Sequence, residues 1–388
     1  MPAEIAPSRS PVQSCAAPVR IRREQGEGVN VVTLESGGIS EFHLTVTPLK
    51  GESIGGLAKR VAGLLHSRDA MTVRLVVFGR ATEYPAALET LRHATGDPGL
   101  PVAWVDGAGC TDNAVAGIKL HAVTGTTIHT NDVHDMMIRI FDDAAGTHCI
   151  VNSILPAQMP APPARQTQEV FDKLDAGLAT AGMTLKDVAR TWFYLDDMLS
   201  WYGDFNRVRN EVFARNRLSP VRLPASTGVG GRNARGAALI ASAWGFRPRD
   251  ATCGLEHFAP SPEQCPATAY GSAFSRAVEL RGPDFRRLLA SGTASIARGG
   301  KTEHIGDTQA QIERSMEVME AILKSRGMTF ADTAFATAFI KHPADAPLFA
   351  DWLARRGLES MPVVLAHCDI CRDNLLFEIE LEAVQTAG

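Results

Sequence analysis

The sequence predicts an α/β fold of the α+β kind. It is built from repeated β-β-α-β-α-β modules with mixed sheets and helices on one face, and three modules close within one chain into a pseudo-trimer. Three observations predict this. An amphipathic helix followed by Gly-Met-Thr-x-x-Asp and an apolar strand occurs in QTQEVFDKLDAGLATAGMTLKDVARTWFYLDD (166–197) and again in QAQIERSMEVMEAILKSRGMTFADTAFATAFIKH (309–342). Each copy continues into a second helix and an apolar strand. The N-terminal third shows the same order of elements in diverged form.

In that first third, EFHLTVTPL reads as a strand, SIGGLAKRVAGLLHSR as an amphipathic helix and VRLVVFGR as a strand. EYPAALETLRHATG gives the next helix, and PVAWVDG and AGIKLHAVTG the closing strands. In the later copies the second helices are YGDFNRVRNEVFARN and DAPLFADWLARRG, and the last strands GAALIASAWGF and NLLFEIELEAV. Gly182 and Gly327 suit the left-handed residue that ends a helix, and Thr184 and Thr329 suit the cap of a short turn after it. The modules fall at 38–128, 130–248 and 266–388, with a flexible segment at 1–37 and a loop-like linker at 249–265. Each module covers one sheet face with its helices. Packing the three open faces together buries them and leaves clefts between neighbours, where ligand sites commonly lie.

A chain of 388 residues with 45% hydrophobic and 21% charged residues has ordinary globular composition. The formal net charge of −4 argues against nucleic acid as a partner. It leaves room for a small anionic substrate met by local arginines. No apolar run approaches the roughly 18–20 residues of a membrane helix. The N-terminus also lacks the apolar stretch of a signal peptide. Seven widely spaced cysteines do not form a disulfide framework, so a cytoplasmic protein is expected. Its expected state is a monomeric pseudo-trimer or a small homo-oligomer. Dinucleotide and phosphate-loop fingerprints are absent, so no cofactor is expected.

HCDICRDNLLFEIE (367–380) places Cys368 and Cys371 in a C-x-x-C pair. A structural zinc takes about four ligands, and no second pair accompanies this one, so no metal is expected. A redox pair opens a helix, whereas this one precedes a strand. Two small packing cysteines are the plain alternative. In LLFEIELEAV, Glu378 and Glu380 share one strand face with Leu376, while Phe377, Ile379 and Leu381 share the other. That face is either solvated or borders a cleft, where desolvation raises a carboxyl pKa as a general acid requires. Tyr270, Arg276 and Gly292 lie in a stretch that reads either as a hairpin flooring a pocket, with Gly292 allowing close approach to the backbone, or as a β-bulge glycine with a surface arginine. The segment VRLPASTGVGGRNARGA (221–237) is either a tight turn or an anion-accepting loop, with Arg222, Arg232 and Arg235 nearby.

Within these stretches the repeats resemble the Rid/YjgF family, whose small subunits form trimers with sites between neighbours. ARTWFYLDD, LPASTGVGG, YGSAFSRA, LASGTASI and HCDICRDNLLFEIE are more specifically similar to the chorismatases, over roughly residues 150–385. The resemblance implies a YjgF/chorismatase-like fold and removal of pyruvate from chorismate to give a 3-hydroxybenzoate, a step suited to secondary metabolism. It makes Glu378 the general acid and Cys371 a catalytic-site residue of the hydroxybenzoate-forming class, a class that Gly292 also matches. Tyr270, Arg276, Arg222 and Arg235 are the implied substrate-binding residues. Two departures accompany it. A Pro-Arg-x-Pro segment is missing after Gly271, and Thr337 stands where the family tends to place a lysine. Either Arg232, Arg235 or Arg281 supplies the missing charge, or the substrate is a less charged relative of chorismate. A Rid-type imine or enamine deaminase using Arg222, and a non-catalytic binder of a small aromatic acid, are the alternatives.

Overall fold

The computed structural model describes residues 19–110 and 112–387, which form three six-stranded sheets of one topology. The first contains β1 (Arg20–Gly26), β2 (Val29–Ser36), β3 (Ile39–Val46), β4 (Met71–Gly79), β5 (Val102–Val105) and β6 (Val115–Thr124), with helices α1 (Ile54–His66) and α2 (Tyr84–Thr95). The second contains β7 (Ile128–Val133), β8 (Met136–Asp142), β9 (Gly146–Ile154), β10 (Val188–Leu195), β11 (Ala225–Gly230) and β12 (Leu239–Pro248), with α3 (Pro163–Ala179) and α4 (Met198–Arg215). The third contains β13 (Gly254–Phe258), β14 (Ala277–Arg281), β15 (Phe285–Ala294), β16 (Thr333–Ile340), β17 (Val363–His367) and β18 (Phe377–Thr386), with α5 (Thr308–Lys324) and α6 (Ala346–Arg355). The first sheet runs β1-β2-β3-β6-β4-β5, and the other two repeat that order. In each sheet the pair at the far edge is parallel.

The repeated Gly-Met-Thr-x-x-Asp motif acts as a stop and restart signal. Gly182 and Gly327 take φ of 65° and 68°, a conformation that costs glycine no steric penalty. Thr184 and Thr329 then form capping boxes, each donating its backbone N–H to the carboxylate three residues on, Asp187 or Asp332, at 2.8 Å. The chain is thereby aimed directly into β10 and β16.

Each sheet buries one face against its own helices, through residues such as Val61 and Leu120, Phe171 and Phe193, or Met316 and Phe377. A further apolar cluster joins the other faces of all three sheets. Val76 and Phe78 meet Trp192 and Trp244, and both meet Leu289, Phe339 and Val364. Truncating one of these buried aromatics to Ala costs about 3–5 kcal/mol. The three open faces therefore cover one another, and this intrachain pseudo-trimer is the predicted fold.

Two segments differ from the sequence reading. Residues 1–18 of the expected flexible segment lie outside the described residues, but residues 20–36 form β1 and β2. RIRREQG carries a single apolar side chain, Ile21, and owes its strand to backbone pairing with β2 along its whole length. Similarly, Gly254–Phe258 of the expected linker is β13, the edge strand of the third sheet, half-buried at every position and so without an alternating pattern. Among the described residues, no helix is long and apolar enough to cross a membrane.

Candidate active site

β6, β12 and β18 hold the same place in their sheets. Pairing with β4, β10 and β16 sets Gly117, Ile240 and Glu378 opposite Phe78, Tyr194 and Phe339, so the three are equivalent positions facing the junctions between sheets. At Gly117 the junction is plugged, since an added Cβ would lie 2.7 Å from both Val364 methyl groups. Ile240 fills its own junction with hydrocarbon. At the third position stands a carboxyl group.

Glu378 lines a small, partly enclosed cavity between the second and third sheets. Tyr202 and Arg209 of α4 and Ser226 and Gly228 of β11 form one wall, while Tyr270, Phe274, Arg276, Gly292 and Cys371 form the other. The cavity volume is ≈ 30 Å³, room for about two water molecules. A ring-sized ligand enters only when wall side chains move. The turn Ala267–Tyr270, ended by the left-handed Gly271 with φ 88°, carries Tyr270 over this space.

The two carboxyls of β18 face the same way in opposite environments. Burial, then the nearby charge of Glu380, pushes the Glu378 pKa up to about 8, so this carboxyl is largely protonated at pH 7. Burial acts on Glu380 in the same direction. There, however, Lys119 at 3.0 Å and Arg190 at 2.7 Å overcome it and hold Glu380 ionised, well below the ordinary carboxylate range. Environment thus separates one acid from one permanent anion, the arrangement that assigns roles in acid–base sites. The solvated-face alternative for this strand is excluded, because Glu378 is 5% and Glu380 1% exposed.

Two buried guanidinium groups flank Phe274. Arg276 donates from Nε and Nη2 to the Cys265 carbonyl at 3.1 and 2.9 Å, and its carbon lies 5.4 Å from the Tyr270 ring centroid. Arg209 donates from Nη2 to Asn206 Oδ1 at 2.5 Å, while its buried Nε has no partner among the described residues. An unpaired buried donor is costly, so this group is suited to a ligand anion. The sequence reading missed Arg209. Its signal was an arginine sharing the apolar stripe of α4 with Phe205, Val208 and Val212.

Other expected site residues lie elsewhere. Arg222 and Arg235 are exposed and are not among the cavity-lining residues. The tight turn expected there is present at Asn233–Gly236, just before β12, with Gly236 at φ 68°. Ala225–Gly230 pairs with β10 as β11, which turns Ser226 and Gly228 to the cavity and leaves the flanking arginines in solvent. Arg232 is 73% exposed beside Asp196, and Arg281 is exposed at the end of β14, so neither supplies charge to the cavity. The ammonium absent at Thr337 comes instead from Lys119 of the first module, 2.9 Å from the Thr337 hydroxyl.

Cys368 and Cys371 separate. Cys368 packs in the cluster shared by the three sheets, while Cys371 faces the cavity. Burial, followed by the Glu378 charge, pushes the Cys371 thiol up to about 12, so it is a neutral wall group. One trio brings metal-ligand atom types together: Glu41, His43 and His121, within 4.8 Å of one another. The His43 and His121 rings are stacked 4.7 Å apart at 14°, so one ion cannot lie in both ring planes. Glu41 is already engaged by His121 at 2.8 Å and Arg287 at 2.9 Å. Glu41 is thus the partner of Arg287, and burial lowers the pKa of both histidines, which favours their neutral form.

Against known proteins, residues 144–239 match the family model Endoribonuclease L-PSP (Ribonuc_L-PSP). A chorismatase of Streptomyces rapamycinicus is 31% identical over 214 residues, 50% of this chain and 63% of that protein. A 3-hydroxybenzoate synthase of Streptomyces hygroscopicus is 28% identical over 221 residues, 50% of this chain and 62% of that protein. A chorismatase crystal structure superposes with TM-score 0.61 at 21% identity, covering 80% of this chain and 92% of the other. Over about half its length the chain is similar to chorismatases, and over residues 144–239 to the Endoribonuclease L-PSP family. It has the chorismatase fold, and it spans less than two thirds of the length of the curated relatives it matches.

Proposed function

We propose that the chain removes pyruvate from chorismate to give a hydroxybenzoate, with Glu378 as general acid. The observation that carries this reading is a buried carboxyl lining a small cavity beside Arg209 and Arg276, with its pKa raised to about 8 by burial and by Glu380. The names of the relatives, chorismatase and 3-hydroxybenzoate synthase, support the choice of substrate.

The chemistry follows from the charges. Glu378 gives its proton to the methylene carbon of the enolpyruvyl ether, turning it into a methyl group. Positive charge develops on the ether carbon and oxygen, close to the fixed anion Glu380. The bond between ether oxygen and ring breaks, pyruvate leaves, and the neighbouring hydroxyl migrates to the vacated ring carbon. Aromatisation returns a proton to the Glu378 carboxylate. No water is consumed. Arg209 and Arg276 hold carboxylates, and the neutral Cys371 thiol keeps water from the ring.

The deaminase alternative rests on Arg222, which is exposed and not among the cavity-lining residues. Glu378 also does not face bulk solvent, as a mere surface carboxylate of a binder would. The test is pyruvate release from millimolar chorismate by the purified full-length chain, with chromatography of the aromatic product. Glu378→Gln is expected to lose about 10²–10⁴-fold in kcat. Absence of both pyruvate and aromatic product from the unmodified protein overturns the reading.

A further inference from the structure

The same register that aligns Gly117, Ile240 and Glu378 aligns a deeper set. Lys119, Ser242 and Glu380 stand opposite Val76, Trp192 and Thr337. Three equivalent positions around the pseudo-threefold axis thus hold a cation, a hydroxyl and an anion. The cation and anion meet: Lys119 Nζ lies 3.0 Å from Glu380 Oε1 and 2.9 Å from Thr337 Oγ1, which itself donates to the same carboxylate oxygen at 2.9 Å. The other oxygen accepts from Arg190 at 2.7 Å. Arg190 continues to Thr227 Oγ1 at 2.6 Å, and that oxygen accepts the Gly292 N–H at 3.1 Å, in the cavity wall. A continuous chain of polar contacts therefore links the first module to the candidate site.

We propose that Lys119 is a positioning residue for the Glu378 site, fixing Glu380 as the buried anion behind the acid and tying the first module to the reaction. This inference rests on the general-acid reading of Glu378. A merely structural role explains the ammonium poorly. A buried ion pair is near break-even against an apolar side chain of similar volume, and the cation–π contact of the ammonium with the Phe335 ring at 5.3 Å does not require the charge to meet Glu380. What an ammonium adds at this point is charge, directed at Glu380. Two residues along an extended strand separate Glu380 from Glu378 by roughly 6–7 Å, close enough for its charge to act on the acid and on the cationic transition state.

The groups bearing on Glu380 come from all the elements packed against it. They are Arg74 on β4, Lys119 on β6, Arg190 and Tyr194 on β10, Thr227 on β11, Thr337 on β16, and Glu378 and Glu382 on its own strand. With Lys119 replaced by a neutral side chain, Arg190 and Arg74 remain. Glu380 then takes up a proton at a higher pH than before, and the anion behind the acid is lost on the acidic side of the profile.

The test compares the full-length wild type, Lys119→Met and the exchange variant Lys119→Thr/Thr337→Lys. In the exchange a lysine from β16 can occupy the space left by the Lys119 side chain. Pyruvate release from chorismate is followed from pH 5 to 9, beside infrared difference spectra of the protonated-carboxyl band. Lys119→Met is expected to lower kcat about tenfold or more and to add an acidic limb to the profile. It should also show one extra protonated carboxyl at low pH, absent when Glu380→Gln is added. The exchange variant should recover both the rate and the profile. A Lys119→Met enzyme with unchanged profile and spectrum overturns the proposal, and so does a folded exchange variant that recovers neither. If Lys119→Met does not fold, the exchange variant alone decides between these outcomes. If the wild type releases no pyruvate, the functional reading has failed, while the infrared comparison still decides whether Lys119 keeps Glu380 ionised.

Discussion

The Glu378 carboxyl occupies the space that a side chain at position 292 would fill. A Cβ built on Gly292 would lie 2.9 Å from the carboxyl carbon of Glu378, with Oε1 closer still. The glycine therefore makes room for the acid itself, not for backbone contact with a ligand. Gly292→Ala is expected to fold, because the colliding atoms end a flexible side chain, but to deflect the acid. The expected result is at least a tenfold loss of kcat, in line with the sensitivity of acid catalysis to placement, with little change in thermal unfolding.

In the proposed general-acid role the protonated form of Glu378 does the work, so activity should be high at neutral pH and fall as pH rises through about 8, where burial and Glu380 place its titration. Glu380→Gln removes the like charge. The alkaline limb should then move to lower pH in a kcat/KM profile. The same change leaves Lys119 and Arg190 buried without their anion, which costs about 3–5 kcal/mol, measurable by denaturant unfolding.

Arg209 lines the cavity, and its buried Nε has no hydrogen-bond partner among the described residues. Losing one charge-assisted hydrogen bond costs about 2 kcal/mol. Arg209→Met should therefore raise KM for chorismate roughly 30-fold, whereas Arg222→Ala and Arg235→Ala leave it unchanged. Steady-state kinetics on the three variants separates a cavity arginine from the surface ones.

Cys371→Ala removes a sulfur from the wall of a ≈ 30 Å³ cavity and opens space beside the ring. Water entering there would trap the ring cation. The expected outcome is a shift of product from hydroxybenzoate toward a diene-diol, read by chromatography with pyruvate release largely retained.

Much of this was legible in the sequence, because the relevant signals are local. Thr184 with Asp187, and Thr329 with Asp332, restart the chain after a glycine-ended helix, and those residues are adjacent in sequence. Alternation along FEIELE sets Glu378 and Glu380 on one face by strand geometry alone. Tyr270, Arg276, Gly292 and Cys371 surround Glu378 from within the same module. β1 and β13 were not legible, since edge strands draw their order from a neighbour's backbone and not from their own apolar pattern.

Only the tertiary structure decided which of three equivalent junctions is open. Gly117, Ile240 and Glu378 become comparable once pairing register is known, and the plug at Gly117 is a valine from β17. It also decided the charges. Arg209 and Lys119 reach the site or its anion from other modules, and neither lies near Glu378 in sequence. Short-range backbone preferences write themselves into neighbouring residues. Burial and charge depend on which distant strands meet, and these made Glu378 an acid and Glu380 an anion.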